Sequence, residues 1–109
     1  MSMMVRDEDF EVLSGETVRY DRRASSDNVI AMNFCARCHA WIWSVPTLPG
    51  IKVPRAGTLD NMDWAEPVAN IWTDSKAAWV KIDPKLINVP KGLVDRKPLF
   101  DAWARRNHS

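Results

Sequence analysis

Phe34-Cys35-Ala36-Arg37-Cys38-His39 holds both cysteines of the chain, two residues apart, with a histidine directly behind the second. Two thiolates at that spacing on a tight turn can face one ion, as half of a tetrahedral zinc site. The flanks decide what the turn belongs to. Val29-Ile30-Ala31-Met32-Asn33-Phe34 leads into it and Ala40-Trp41-Ile42-Trp43-Ser44-Val45 leaves it; both runs are β-prone, and Pro46 stops the second. Strand, Cys-x-x-Cys turn and strand therefore read as a knuckle-like hairpin, which presents two sulfurs and nearby backbone N–H groups to a single ion.

Towards the N-terminus, Phe10 and Val12, then Val18 and Tyr20, alternate with polar residues on either side of Ser14-Gly15-Glu16, a pattern that predicts a hairpin over residues 9–21. Residues 21–28 are polar without periodicity and read as a loop. Beyond the knuckle, Pro46, Pro49-Gly50 and Pro54 punctuate a connector, and Ala56 to Asn61 reads as a defined turn. Short extended pieces are predicted at Val68–Trp72 and Trp79–Ile82, with a turn or helical cap at Thr73-Asp74-Ser75 between them, and Leu86–Leu93 has no clear period. A short helix is predicted at about 96–106, with Asp95 as its cap, Pro98 in its first turn, Leu99, Phe100 and Trp103 on one face, and Arg105 and Arg106 at its C-terminal end.

At 109 residues the chain is read as one domain, 1–109, small enough for a metal staple to matter. Its 15 Lys+Arg nearly balance 14 Asp+Glu, so charge alone supports neither nucleic acid nor a membrane surface as a partner. Six tryptophans outnumber one tyrosine and three phenylalanines and are read mainly as packing residues. No apolar run has the length of a signal peptide or a membrane span, so a cytoplasmic location is expected. In a reducing compartment a Cys-x-x-Cys pair is a metal or redox site before it is a structural disulfide.

Three chemistries fit the cysteine string. Covalent haem attachment matches Cys35, Cys38 and His39 letter for letter, but the flanks are strand-like and no single methionine stands out as a second axial ligand. A redox dithiol would follow a strand and open a helix, whereas the residues after Cys38 are β-prone. Zinc is the reading the context favours, with Cys35 and Cys38 as its ligands, beside the plain alternative of two reduced thiols. His39 would have to fold back to reach the same ion and is read as a structural or exposed histidine; His108, near the C-terminus, is given no role.

Phe34-Cys35-x-x-Cys38, followed by Ala56-Gly57-Thr58-Leu59-Asp60 and then by Ile71-Trp72-Thr73-Asp74-Ser75-Lys76-Ala77-Ala78-Trp79-Val80, resembles the glutathione-dependent formaldehyde-activating enzyme family, also called the CENP-V/GFA domain. The resemblance runs from about residue 10 to about residue 90. It implies a mainly β, Mss4-like zinc-binding fold and a carbon–sulfur lyase activity that condenses glutathione and formaldehyde to S-hydroxymethylglutathione. Within it, Cys35 and Cys38 carry over as ligands of a structural zinc. The family's Cys-x-Cys-Gly strand and its Cys-x-Cys-x-x-Cys catalytic-zinc loop have no counterpart here, so the chain reads as shortened at its N-terminus, and His39 stands where the family usually has glycine.

The expectation is therefore a GFA-like zinc-binding domain with a structural, incomplete zinc site and without the catalytic zinc. A catalytic zinc takes about three protein ligands and an open position, and the chain has 2 cysteines in all. His39, Asp60, Asp63 and Asp74 are substitute donors that no spacing recommends; Asp60 and Asp74 read as turn and cap residues. The expected partners are a second copy of the chain, pooling Cys35 and Cys38 into a four-thiolate site, and a glutathione adduct implied by the resemblance. The alternative is a non-catalytic interaction or dimerisation module, with a structural or shared zinc or with Trp41 or Trp43 exposed on an open sheet.

Overall fold

A computed structural model of the chain describes residues 1–24, 27–93 and 95–107, so Ser25 and Ser26 of the predicted loop, Val94 and His108 lie outside the described residues. The backbone divides into two compact units, Met1–Ala65 and Glu66–Ser109.

The first unit is built on an antiparallel sheet of five strands: β1 (Val5–Arg6), β2 (Thr17–Arg23), β3 (Val29–Cys35), β4 (Trp41–Val45) and β5 (Ile51–Pro54), in the order β1-β5-β4-β3-β2. β3 and β4 are the two β-prone runs around the cysteine turn. β2 pairs with β3 along its whole length, from Thr17 opposite Cys35 to Arg23 opposite Val29. Between Asn33 and Phe34 the register against β4 slips, Asn33 facing Trp43 and Phe34 facing Trp41, so that Ile42 is the extra residue of a bulge that raises the local twist beside the turn.

Three expectations are corrected here. Residues 21–23, read as the start of a polar loop, are the end of β2, because Asp21, Arg22 and Arg23 pair with Ala31, Ile30 and Val29 on an exposed edge where polar side chains are tolerated. The first arm of the hairpin over 9–21 does not form. Phe10 instead packs on Trp43, ring centroids 4.9 Å apart, and Asp7 donates its N–H to the Gly50 carbonyl at 3.0 Å, so this segment is tied to the opposite side of the sheet. The connector after Pro46 contains a strand, because the prolines bracket it: Pro49 precedes Gly50, which supplies a positive φ of 78° in the turn, and Pro54 closes the strand. Ile51 of that strand is 1% exposed, and the other buried apolar residues are small, Ala31, Ala56 and Ala65. Ala56–Thr58 is a 3₁₀ turn, as its glycine suggested.

Trp41 and Trp43 are both packed. The Trp41 indole donates to Ser44 Oγ at 2.8 Å and carries the Arg55 guanidinium 4.1 Å above its ring, while Trp43 takes Phe10. The indoles that face solvent are elsewhere, with Trp79 83% exposed.

In the second unit β6 (Ala69–Asn70) runs parallel to β7 (Ile87–Asn88), and the Asn70 side-chain amide donates to Asn88 Oδ1 at 3.0 Å. The extended piece predicted over 68–72 is cut short by Trp72, whose φ of 55° is left-handed, and the one predicted over 79–82 is not a strand: Val80 donates back to Ala77 in a turn. Thr73–Ser75 forms a 3₁₀ turn. The helix α1 (Lys97–Asn107) is capped as read, Asp95 Oδ1 accepting the Lys97 N–H at 3.0 Å, and Arg106 anchors it by donating to the Glu66 and Pro67 carbonyls and pairing with the Glu66 carboxylate. The fold is thus mainly β with one short C-terminal helix, and among the described residues no helix is long and apolar enough to cross a membrane.

Candidate metal centre

Cys35 is the last residue of β3, and the turn after it is closed twice by backbone hydrogen bonds. The Cys35 N–H donates to the Ala40 carbonyl at 2.8 Å, and the His39 N–H donates to the Cys35 carbonyl at 2.9 Å. A third bond, from the Ala36 N–H to the Glu16 carbonyl at 3.1 Å, fixes the turn to the start of β2. Three backbone hydrogen bonds therefore hold the cysteine turn in place.

Inside the turn the Arg37 N–H points at Cys35 Sγ, 3.4 Å away. Such N–H groups stabilise sulfur as thiolate, and Cys35 is held below the ordinary thiol range by the Cys38 N–H first, then by the Arg37 N–H and the Cys38 thiol, opposed by burial, with the least contribution from the His39 N–H. Cys35 is partly exposed and Cys38 exposed; neither is in a disulfide. The pair is a soft donor set open to solvent, suited to a cation that prefers sulfur and tetrahedral geometry.

The histidine and the acids do not complete it. Among the described residues no cluster of three or more His, Cys, Asp or Glu is placed to hold a metal. His39 is exposed at a left-handed φ of 63°, Asp63 accompanies Asn61 in a side-chain-capped turn, and Asp74 sits in its 3₁₀ turn with Lys91 at 3.9 Å. The sequence pointed to both cysteines and to backbone N–H groups beside them, of which Arg37 supplies one; the Glu16 and Ala40 carbonyls that brace the turn leave no trace in residue type.

Residues 1–75 of the 109 match the family model described as glutathione-dependent formaldehyde-activating enzyme. The chain belongs to that family. No curated protein and no solved structure matches the chain. The family match takes in the whole five-stranded sheet, the cysteine hairpin, the 3₁₀ turn at Ala56–Thr58 and the turn ending at Ser75.

A glutathione-dependent formaldehyde-activating domain implies zinc, and the donor set can be tested against it. A structural site takes four protein ligands and a catalytic one about three plus an open position. The knuckle of β3 and β4 provides two thiols with an N–H donor on one sulfur, and no third donor stands with them among the described residues. These residues fit half of a four-ligand site and do not fit a complete one.

Proposed function

We propose that this member of the glutathione-dependent formaldehyde-activating family is a zinc-binding domain in which Cys35 and Cys38 are structural metal ligands, and that the carbon–sulfur lyase reaction of the family is not carried by this chain alone. The observation that supports the reading is the cysteine knuckle itself: two sulfurs on one rigid turn, with the Arg37 N–H on Cys35 Sγ at 3.4 Å.

The chemistry explains the second half of the proposal. Condensation requires the glutathione sulfur to attack the formaldehyde carbon as a thiolate, while the carbonyl oxygen takes up a proton. A protein accelerates that step by binding the thiolate or the oxygen at an open metal position held by about three ligands of its own. With 2 cysteines in the sequence, a three-cysteine catalytic site and a structural site cannot both be built from this chain. Glutathione as a ligand and a reducing, cytoplasmic setting, which would keep the pair as free thiols for metal, belong to the same proposal.

The test is metal analysis of protein purified without added zinc, together with an assay of glutathione-dependent formaldehyde loss. Retained zinc that disappears in Cys35→Ser, with no rate above that of glutathione and formaldehyde alone, is the expected result. A rate above background that Cys35→Ser abolishes would overturn the non-catalytic half of the reading. A second reading, a dimerisation module, is favoured by β2: it is an edge of the sheet with every residue exposed, Val18 52% and Tyr20 60%.

A further inference from the structure

The disagreement between a metal that takes four ligands and a chain that offers two has a resolution in the geometry of the knuckle. We infer that two copies of the chain share one tetrahedral cation, each contributing Cys35 and Cys38 across a two-fold axis that passes through the metal. The inference rests on the metal-binding reading above and adds to it the source of the missing ligands.

The observations converge on the turn. Both sulfurs belong to an end of the β3–β4 hairpin whose residues 37–40 are all exposed, so a second knuckle has access to them. The turn is already closed by hydrogen bonds, with the Cys35, His39 and Ala36 N–H groups bonded to the Ala40, Cys35 and Glu16 carbonyls. Little ordering is then left to oppose binding. A two-fold interface is self-complementary, so two identical half-sites make one closed site and leave nothing to polymerise.

Charge points to the same occupant. Four thiolates around a divalent cation carry about two negative charges in excess, and such a site is costly in any surface that does not compensate it. Arg37 lies between the two cysteines and is exposed, so a pair of copies brings two guanidinium groups to the rim of a site that needs two positive charges. With a net charge of +1 per chain, long-range repulsion between copies is weak.

The other self-association route can be told apart. Antiparallel pairing of two β2 edges about their midpoint at Tyr20 would put the Thr17 end of one strand, which carries the cysteine turn, beside the Arg23 end of the other. Six residue steps at about 3.3 Å separate those ends, so the two knuckles would stand roughly 20 Å apart and could share no ion.

Cobalt(II), which reports thiolate ligation by charge-transfer absorption and tetrahedral geometry by its visible bands, is the probe to titrate into metal-free chain, with native mass spectrometry alongside. The expected result is an end point of about one cobalt per two chains, a dimer carrying one metal, and return to monomer on chelation. Cys38→Ser should abolish both the dimer and the four-thiolate spectrum. Tryptophan emission of the variant reports its fold, and the chelation arm needs no variant at all. A metal-loaded monomer with an end point near one cobalt per chain would overturn sharing and leave the metal-binding reading standing. Absence of any thiolate band would overturn both, and a dimer indifferent to chelation and to Cys38→Ser would assign association to another surface such as β2.

Discussion

His39 occupies a backbone position that glycine fills with least strain. Its φ of 63° is left-handed, where a side chain with a Cβ costs about 1 kcal/mol relative to glycine, less for a residue that bonds locally and more for a β-branched one. The position is set by the bonds around it: the His39 N–H must reach back to the Cys35 carbonyl while the next carbonyl, that of Ala40, accepts the Cys35 N–H. His39→Gly should therefore stabilise the metal-free chain by up to about 1 kcal/mol, and His39→Val should destabilise it by about 1–2 kcal/mol, both measured by urea denaturation. The same pair of variants separates backbone from ligand chemistry. If the imidazole ligates the metal, His39→Gly lowers metal affinity; if the residue serves only the turn, affinity holds or rises as the knuckle relaxes.

Among the elements, α1 shows how local chemistry alone can specify structure. Asp95 caps it, and Lys97 Nζ holds Asp101 at 2.8 Å one turn on. The hydrogen bond from Lys97 keeps the Asp101 carboxyl below the usual carboxylate range, helped by the charges of Lys97 and Arg105 and opposed by burial. A lowered folded-state value means that the pair's contribution is complete above the ordinary carboxylate range, about 3.9, and is lost as pH falls through the lowered value. Lys97 is raised by the same hydrogen bond, so the contribution is also lost as pH rises through its own raised value. Far-UV ellipticity followed to low pH should show α1 weakening in the wild type, and Asp101→Asn should flatten that acid limb; an unchanged profile would mean the pair contributes nothing to the helix.

The same helix was legible in advance because its signals are local: a capping Asp, a Pro in the first turn, a run of apolar residues on one face. β3, β4 and the knuckle were legible for a similar reason, with β-prone runs bounding a turn that two cysteines mark. β5 was hidden by Pro49 and Pro54, which read as punctuation although they only bracket a strand of four residues. The arm over 9–13 looks like half of a hairpin in sequence, but alternation at Phe10 and Val12 says nothing about which strand will take them, and the contact of Phe10 with Trp43 decides it. β6 and β7, of two residues each and far apart in sequence, pair in parallel through Asn70 and Asn88, and no period-two pattern fits in so short a span. The candidate site follows the same rule: its sulfurs and the N–H groups beside them are readable from the motif, whereas the Glu16 and Ala40 carbonyls that brace the turn are not.

For the whole molecule, the proposed shared metal decides what kind of stability to expect. Ile51 is the large side chain that is fully buried among the described residues, and small domains commonly draw part of their stability from a staple such as a bound metal. A shared metal is a staple of a particular kind, since binding to the folded state adds about 2.7 kcal/mol at a hundredfold excess over the dissociation constant, and coupling to dimerisation makes that gain depend on protein concentration as well. The thermal midpoint should therefore rise with added zinc, rise further with chain concentration only when zinc is present, and fall back on chelation. A midpoint that responds to zinc but not to chain concentration would mean that each molecule completes its own site; one that responds to chain concentration but not to zinc would move the staple from the cysteine knuckle to an apolar surface such as that of β2.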